Sequence, residues 1–322
     1  MSRMSFVEAT RQALAAEMRR DGRIVVLGED LGRGGVFQQY RGLQAEFGPA
    51  RVVDTPISES AIMGVAVGAA MCGARPVVEM RYLDFTLCAV DELVNQAAKL
   101  RYMLGGQARV PMVVRQPIGL WANCAAQHSQ SLEAWWVHVP GLVVLCPGDP
   151  ADAGPMLAAA IRADDPVVLL EYKELFPAEG EVGDPTLPAE IGRARLVRPG
   201  HDLTLVAWGG SVREAAGAAE LLAARGISAE VIDLRSLWPW DSAMVLASVA
   251  RTGHLLVAQE ATEVAGFGAE IAALVAEETG ARVARIGAPR TPIPFSPALE
   301  AAYRVDAARI AARAAAFLAR HR

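Results

Sequence analysis

The chain has 322 residues, 52% of them apolar and 21% charged, with a formal net charge of -5. That length suggests two domains, and a chain so apolar can bury a large core, which excludes wholesale disorder. The acidic balance and the scattered Lys and Arg argue against a nucleic-acid-binding surface. Cys72, Cys88, Cys124 and Cys146 stand far apart with no Cys-x-x-Cys pair, which excludes a disulfide framework and a zinc site and suits a reducing cytoplasm. The five histidines show no His-x-x-x-His or His-Glu-x-x-His spacing, which argues against a histidine-rich metal centre. No run reaches the ~18 apolar residues of a membrane span. Residues 1–20 carry Glu8 and Glu17 among their apolar positions and read as an amphipathic helix, not a signal peptide. A soluble, cytoplasmic protein is expected.

Apolar residues at helical spacing over 6–18 stop at Asp21-Gly22. Residues 24–27 form a short β-branched run closed by Gly28-Glu29-Asp30, a buried strand, and the glycines of 31–35 make a loop. Val52-Val53 is a brief strand before Asp54-Thr55-Pro56, and Ser58 stands as an N-cap ahead of a small-residue helix to Gly73. A strand over 75–80, a long helix over 87–103 and strands at 110–115 and 142–146 follow. A helix over 152–162 and a strand over 166–171 complete the first half. Across 176–188 the pattern dissolves into Pro, Gly and acidic residues, which marks a domain boundary.

Beyond it, strands are expected at 203–207, 229–232, 255–258 and 283–286, and helices at 212–224, 243–250, 268–278 and 307–320. Such alternation makes parallel sheets covered by helices on both faces. The fold class is α/β, with two tandem parallel-sheet domains over 1–180 and 187–322.

The glycine-rich turns Gly32-Arg33-Gly34-Gly35 and Gly266-Phe267-Gly268 fail the Gly-x-Gly-x-x-Gly spacing, and no phosphate-binding Gly-x-x-x-x-Gly-Lys-Ser is present. Three places carry more chemistry. Glu59 precedes an apolar helix, where a carboxylate can equally be a dipole partner or cap. Asp84-Phe85 ends a strand, where open parallel sheets place ligands, although an aromatic core plug fits as well. His128 lies in a polar loop among Gln127, Ser129, Gln130 and Ser131, and is either a surface histidine or an oriented acid–base group.

At these residues the chain resembles, over nearly its whole length, a known family. This is the beta subunit of the thiamine-diphosphate-dependent decarboxylating component of 2-oxo acid dehydrogenase complexes (pyruvate, branched-chain and acetoin dehydrogenases). The matching segments come in order: Gly28-Glu29-Asp30, Gly35-Val36-Phe37 with Gly42-Leu43, then Asp54-Thr55-Pro56-Ile57-Ser58-Glu59. Next come Val94-Asn95-Gln96-Ala97-Ala98-Lys99 with Arg101-Tyr102-Met103, and the loop from Ala126 through His128 to Trp135 with Pro140-Gly141-Leu142. Val231-Ile232-Asp233-Leu234-Arg235 and Thr291-Pro292-Ile293-Pro294-Phe295-Ser296-Pro297 resemble the family's second domain.

The resemblance implies roles. The first domain would bind the aminopyrimidine, with Glu59 on a ring nitrogen as the activating carboxyl, Phe85 stacked on the ring and Ile57 an apolar contact. Burial beside the apolar helix would raise the proton affinity of Glu59. His128 would handle the bound intermediate and its transfer to the lipoyl group. Magnesium on the diphosphate is usually held by a Gly-Asp-Gly segment that this chain lacks, and in the family a separate alpha subunit carries it. The resemblance thus implies a heterotetramer with two of each chain and a lipoyl-bearing acyltransferase core docked by the second domain. Ala160, Ala163 and Asp165 would hold a monovalent cation, K+, through two carbonyls and a side chain.

Two departures stand out. Arg81 replaces a Met or Gln beside the pyrimidine, and either selects an acidic substrate or turns away into a salt bridge. Ile118-Gly119-Leu120-Trp121-Ala122-Asn123 replaces a stretch that the family fills mostly with glycines. The reading is a 2-oxo acid dehydrogenase beta subunit. An acetoin-cleaving relative and a catalytically silent docking scaffold are the alternatives, the latter opposed by the retention of Glu59, Phe85 and His128 together.

Overall fold

Apolar β-branched runs in the first half form β1 (Ile24–Gly28), β2 (Val52–Asp54), β3 (Arg75–Glu79), β4 (Val113–Ile118), β5 (Val143–Leu145) and β6 (Val167–Tyr172). The structure is a computed structural model and describes residues 1–320. Its chain divides into two units: Met1–Ile118 with Trp135–Ile191, and Gly119–Ala134 with everything from Gly192 onward.

In the first unit the strands lie in the order β5-β6-β4-β3-β1-β2, every pairing parallel. Every residue of β4 and β6 is buried, as expected of strands covered on both faces. Helix α1 (Phe6–Arg20) starts at Ser5, whose side chain accepts the Glu8 N–H, and ends with Arg19 and Arg20 near its negative pole. Helix α2 (Glu59–Met71) is apolar nearly all round. Helix α3 (Pro150–Arg162) is capped by Asp149 and buries ten of its thirteen residues. It approaches α1 at Gly154, where any Cβ would come within 2.8 Å of the Ala9 carbonyl. Leu14, Met18, Val26, Val77, Leu157 and Leu169 form part of the core between these layers.

In the second unit β7 (Arg195–Arg198), β8 (Leu203–Ala207), β9 (Ala229–Asp233), β10 (His254–Thr262) and β11 (Arg282–Ala288) run in the order β11-β10-β8-β9-β7. All of these pairings are parallel except β7 on β9. Helices α4 (Ser211–Ala223), α5 (Ser242–Thr252), α6 (Gly268–Thr279) and α7 (Ala307–Ala319) connect and cover the strands. A buried hydroxyl cluster pins α5 to β8: Thr204 Oγ1 lies 2.6 Å from Ser248 Oγ and 2.8 Å from Thr252 Oγ1.

The structure departs from the sequence reading in three places. The long helix expected over 87–103 begins earlier and is broken. It runs as a turn of α-helix (Leu83–Thr86), a 3-10 turn (Leu87–Ala89), a π-helical stretch (Asp91–Ala97) and an α-helical end (Ala98–Met103). Asn95 and Gln96 both donate to Asp91, and the five-residue reach from Gln96 belongs to the wider π turn. Part of the expected boundary forms a strand, Glu179–Val182, paired antiparallel with Ser2–Ser5. Ala189 and Ile191 still pack on the first core, which is why the division falls after Ile191. β7, a short antiparallel edge strand, had no apolar run to announce it.

Candidate functional site

Because β3, β1 and β2 are adjacent and parallel, their carboxyl ends open on one sheet edge, the usual place for ligands. Glu29 and Asp30 follow β1. Ile57 and Glu59 follow β2, with Glu59 the first residue of α2, and Arg81 and Phe85 follow β3. Gly28 admits the neighbouring strand, since a Cβ there would stand 2.9 Å from the Glu79 carbonyl. The Asp54 carboxylate accepts the Gly32 N–H at 2.9 Å and ties the β1 turn to β2. Asp30 takes a left-handed conformation, φ 56°.

Arg81 is ion-paired. Its Nη2 lies 2.8 Å from Asp30 Oδ2 and its Nε 4.0 Å from Glu29 Oε2. Of the two outcomes weighed for this residue, the structure adopts the salt bridge, and two carboxylates oppose the guanidinium's charge. Burial pushes the proton affinity of Glu29 up; Arg81 opposes this, and the nearby charges of Glu59 and Asp30 add to it.

Glu59 is half-buried, less enclosed than the sequence reading expected, because the helix behind it is open on one side. Along α2, Ile62, Met63, Ala66, Val67 and Ala70 are buried, while Val65 is 59% and Met71 44% exposed. Ile57 is 79% exposed. The Phe85 ring meets Tyr82 edge-on with centroids 5.5 Å apart, and Lys173 Nζ stands 4.6 Å from the centre of the Tyr82 ring.

Three successive strands carry buried polar atoms with no partner among the described residues. These are Thr55 Oγ1 beyond β2, Arg81 Nη1 beyond β3 and both amide atoms of Gln116 in β4. Each such atom costs about 1–3 kcal/mol unless something meets it. An edge of this kind suits a ligand with polar atoms of its own.

His128 belongs to the second unit, in the 119–134 segment. Glu260 of β10 holds that segment at both ends, accepting from Leu120 N–H at 2.9 Å and Ser131 Oγ at 3.1 Å. The fully buried Glu133 accepts from Trp208 Nε1 at 3.0 Å. His128 is partly exposed, and its N–H reaches back to the Ala125 carbonyl. Ala122, Asn123 and Ala125 take φ values of 49°, 57° and 61°, a region glycine enters without strain.

The expected cation segment is occupied by the protein's own cations. Arg75 donates to the carbonyls of Ile161 (2.9 Å) and Ala163, and the Asp165 carboxylate pairs with Arg101. The Ala160 carbonyl accepts the Ala163 N–H within the helix end. The three groups placed by the resemblance at a monovalent-cation site, Ala160, Ala163 and Asp165, thus each already accept from the chain's own donors.

Sequence reasoning missed a fully buried cluster in the first unit. Arg115 donates to Glu171 through Nε at 2.8 Å and Nη2 at 2.7 Å, and lies 5.1 Å from the centre of the Tyr40 ring. Glu79 accepts from Tyr40 Oη and from Gln39 Nε2 at 2.9 Å. Burial pushes the Glu79 carboxyl up to about 7, against the pull of Arg115 and of these hydrogen bonds. The available signal was a charged residue inside each of three apolar runs, at 79, 115 and 171.

Residues 2–179 match the family model described as the transketolase pyrimidine binding domain, and residues 192–310 the transketolase C-terminal domain. The acetoin:2,6-dichlorophenolindophenol oxidoreductase subunit beta of Cupriavidus necator is 42% identical, with 97% of this chain and 96% of that one covered. The 2-oxoisovalerate dehydrogenase subunit beta of Bacillus subtilis is 40% identical, covering 97% of this chain and 98% of that one. A solved structure, a split-gene transketolase described as an inactive beta4 tetramer, superposes with a TM-score of 0.82 at 26% identity, over 98% of both chains. No helix of the described residues is long and apolar enough to cross a membrane.

Proposed function

The chain belongs to the transketolase-like family of beta subunits of thiamine-diphosphate-dependent 2-oxo acid dehydrogenases, and from that membership we propose that it supplies the pyrimidine half of an active site completed by an alpha subunit. The carrying observation is the sheet edge of the first unit. It combines a half-buried carboxyl, an aromatic ring, an exposed aliphatic side chain and three strands' worth of buried polar atoms without partners. Those residue types fit an aminopyrimidine.

Thiamine diphosphate, when bound, supplies a nucleophilic thiazolium carbon and an electron sink for the loss of carbon dioxide from a 2-oxo acid. This chain's residues bind, orient and move protons. Glu59 holds a proton at a pyrimidine ring nitrogen, Phe85 and Ile57 seat the ring, and Arg81 borders it. His128 donates toward charge that develops on the acyl-bearing side. Magnesium on the diphosphate falls to the partner chain. The open apolar face of α2, where Val65 and Met71 stand exposed, supports a partner subunit covering it in a tetramer of two chains of each kind. The second unit, which offers no other candidate for the chemistry, docks the lipoyl-bearing acyltransferase core. Four free cysteines are consistent with a cytoplasmic place.

The test is Glu59→Gln in the complex reconstituted with its alpha subunit. Glutamine keeps the shape and a hydrogen-bond donor but shuttles no proton. Hydrogen–deuterium exchange at the thiazolium carbon slows by roughly 10²–10⁴-fold, while a cofactor titration moves far less. Exchange at the unmutated rate would return Glu59 to a helix-terminal carboxylate. A panel of 2-oxo acids and acetoin with an artificial electron acceptor then names the substrate.

A further inference from the structure

Two carboxylates meet one guanidinium at the sheet edge, Glu29 and Asp30 on Arg81, and the charge of Glu59 bears on Glu29. We propose that Arg81 is a positioning residue whose guanidinium clamps the Glu29–Asp30 turn and thereby fixes a carboxylate beside Glu59. The inference rests on the role given to Glu59 above and deepens it.

The geometry is that of a bridge between two acidic neighbours in sequence. Nη2 holds Asp30 at 2.8 Å, while Nε faces Glu29 at 4.0 Å, with the Glu29 side chain only 12% exposed. A charge pair so enclosed is screened less than a surface pair. The turn needs such an anchor, because Asp30 is left-handed at φ 56° and its carbonyl accepts the N–H groups of Arg33 and Gly35. The charged groups facing Glu29 are Arg81 from beyond β3, Glu59 from α2 and Asp30 in its own turn. Burial, Glu59 and Asp30 all favour a proton on Glu29, and Arg81 alone opposes them.

Without the guanidinium, Glu29 takes up a proton at higher pH and becomes a second acid beside Glu59. With it, the rise in the proton affinity of Glu29 is held down and its carboxylate form is favoured.

Two measurements on the full chain test this. Urea unfolding of wild type, Arg81→Met, Glu29→Gln and the double variant is followed at pH 5 and pH 8. The loss in midpoint from Arg81→Met is larger at pH 8, where the carboxylates are charged, and most of that excess disappears in the Glu29→Gln background. Equal losses at both pH values, or an excess untouched by Glu29→Gln, overturn the proposal, since either leaves Arg81 a packing residue or a partner of Asp30 alone. In the reconstituted complex, the acid limb of kcat/KM moves to higher pH by roughly one unit in Arg81→Met, and Arg81→Lys restores most of the shift. An unmoved limb also overturns it. Failure of the Glu59 role shows separately, as normal thiazolium exchange in Glu59→Gln with Arg81 intact.

Discussion

Glu79→Gln offers the sharpest test of the buried electrostatics in the first unit. Its cluster holds one guanidinium, Arg115, and two carboxyls, Glu171 and Glu79, all nearly inaccessible to water. Arg115 lays its fork on Glu171, so neutrality is reached when Glu79 keeps its proton. The folded carboxyl is pushed up to about 7 from an ordinary 4.5. The folded chain therefore binds more protons than the unfolded one between those values. This group's contribution is fully favourable below about pH 4.5 and is lost as pH rises through about 7. At 1.36 kcal/mol per unit, the change between pH 5 and pH 8 is about 2.5 kcal/mol.

Glutamine imitates the protonated acid. Its carbonyl accepts from Gln39 and its amide donates to Tyr40 Oη, so Glu79→Gln is close to neutral at pH 5. At pH 8 the variant is the more stable chain by about 2 kcal/mol. The assay is urea denaturation of both chains across pH 5–8, where every other titrating group cancels in the difference. Two curves that stay parallel over that range would refute the neutral-cluster reasoning.

Glu171→Gln removes the bidentate acceptor of Arg115 and costs about 3 kcal/mol at pH 5, but less at pH 8, where Glu79 becomes the replacement counter-ion; equal losses in denaturation at both pH values reject that exchange of roles. Ala125→Gly relaxes a left-handed alanine in the histidine loop, φ 61°. The conformational relief of about 1–2 kcal/mol outweighs the added unfolded-state entropy of about 0.4–1 kcal/mol, so the melting temperature rises; a fall shows that the loop is not strained there.

The fold was legible wherever an element buries a periodic face. The strands at 24–27 and 75–80 and the helices at 6–18 and 152–162 are visible because burial wrote their pattern into the residues. Elements made by pairing rather than burial were not. Ser2–Ser5, Glu179–Val182 and Arg195–Arg198 are short, largely polar and antiparallel, so no local signal separates them from loop. The π-helical stretch was equally silent, since its apolar spacing reads as an ordinary helix. Glu59, Phe85 and His128 were singled out by their places in the chain and given roles only by resemblance, while a salt bridge was one of two outcomes for Arg81 and its partners were not named. Its partners are adjacent in sequence to each other and some 50 residues away from it, and only the strand order β3-β1 brings them together. Ala122 and Asn123 illustrate the converse: the missing glycines were visible, but not that the backbone keeps left-handed turns without them.

Two features of the first unit are costly for a chain standing alone. α2 turns an apolar face outward, and Thr55, Arg81 and Gln116, in or just beyond three strands, carry buried polar atoms with no partner among the described residues. Folding alone relieves neither, and one of those atoms, Thr55 Oγ1, lies on the same segment as the apolar face, β2 running through Thr55 and Ile57 into α2. Whatever covers the helix thus abuts whatever meets the polar atoms. In the proposed assembly the first is the alpha subunit and the second the pyrimidine, so binding of each pre-orders the surface required by the other. Such linkage makes cofactor affinity and subunit affinity reciprocal: the cofactor tightens the tetramer by the same factor that the alpha subunit tightens the cofactor. The buried Arg115–Glu171–Glu79 cluster lies outside this exchange. Its charges are balanced within the chain, leaving the sheet rigid while its edge waits for ligands.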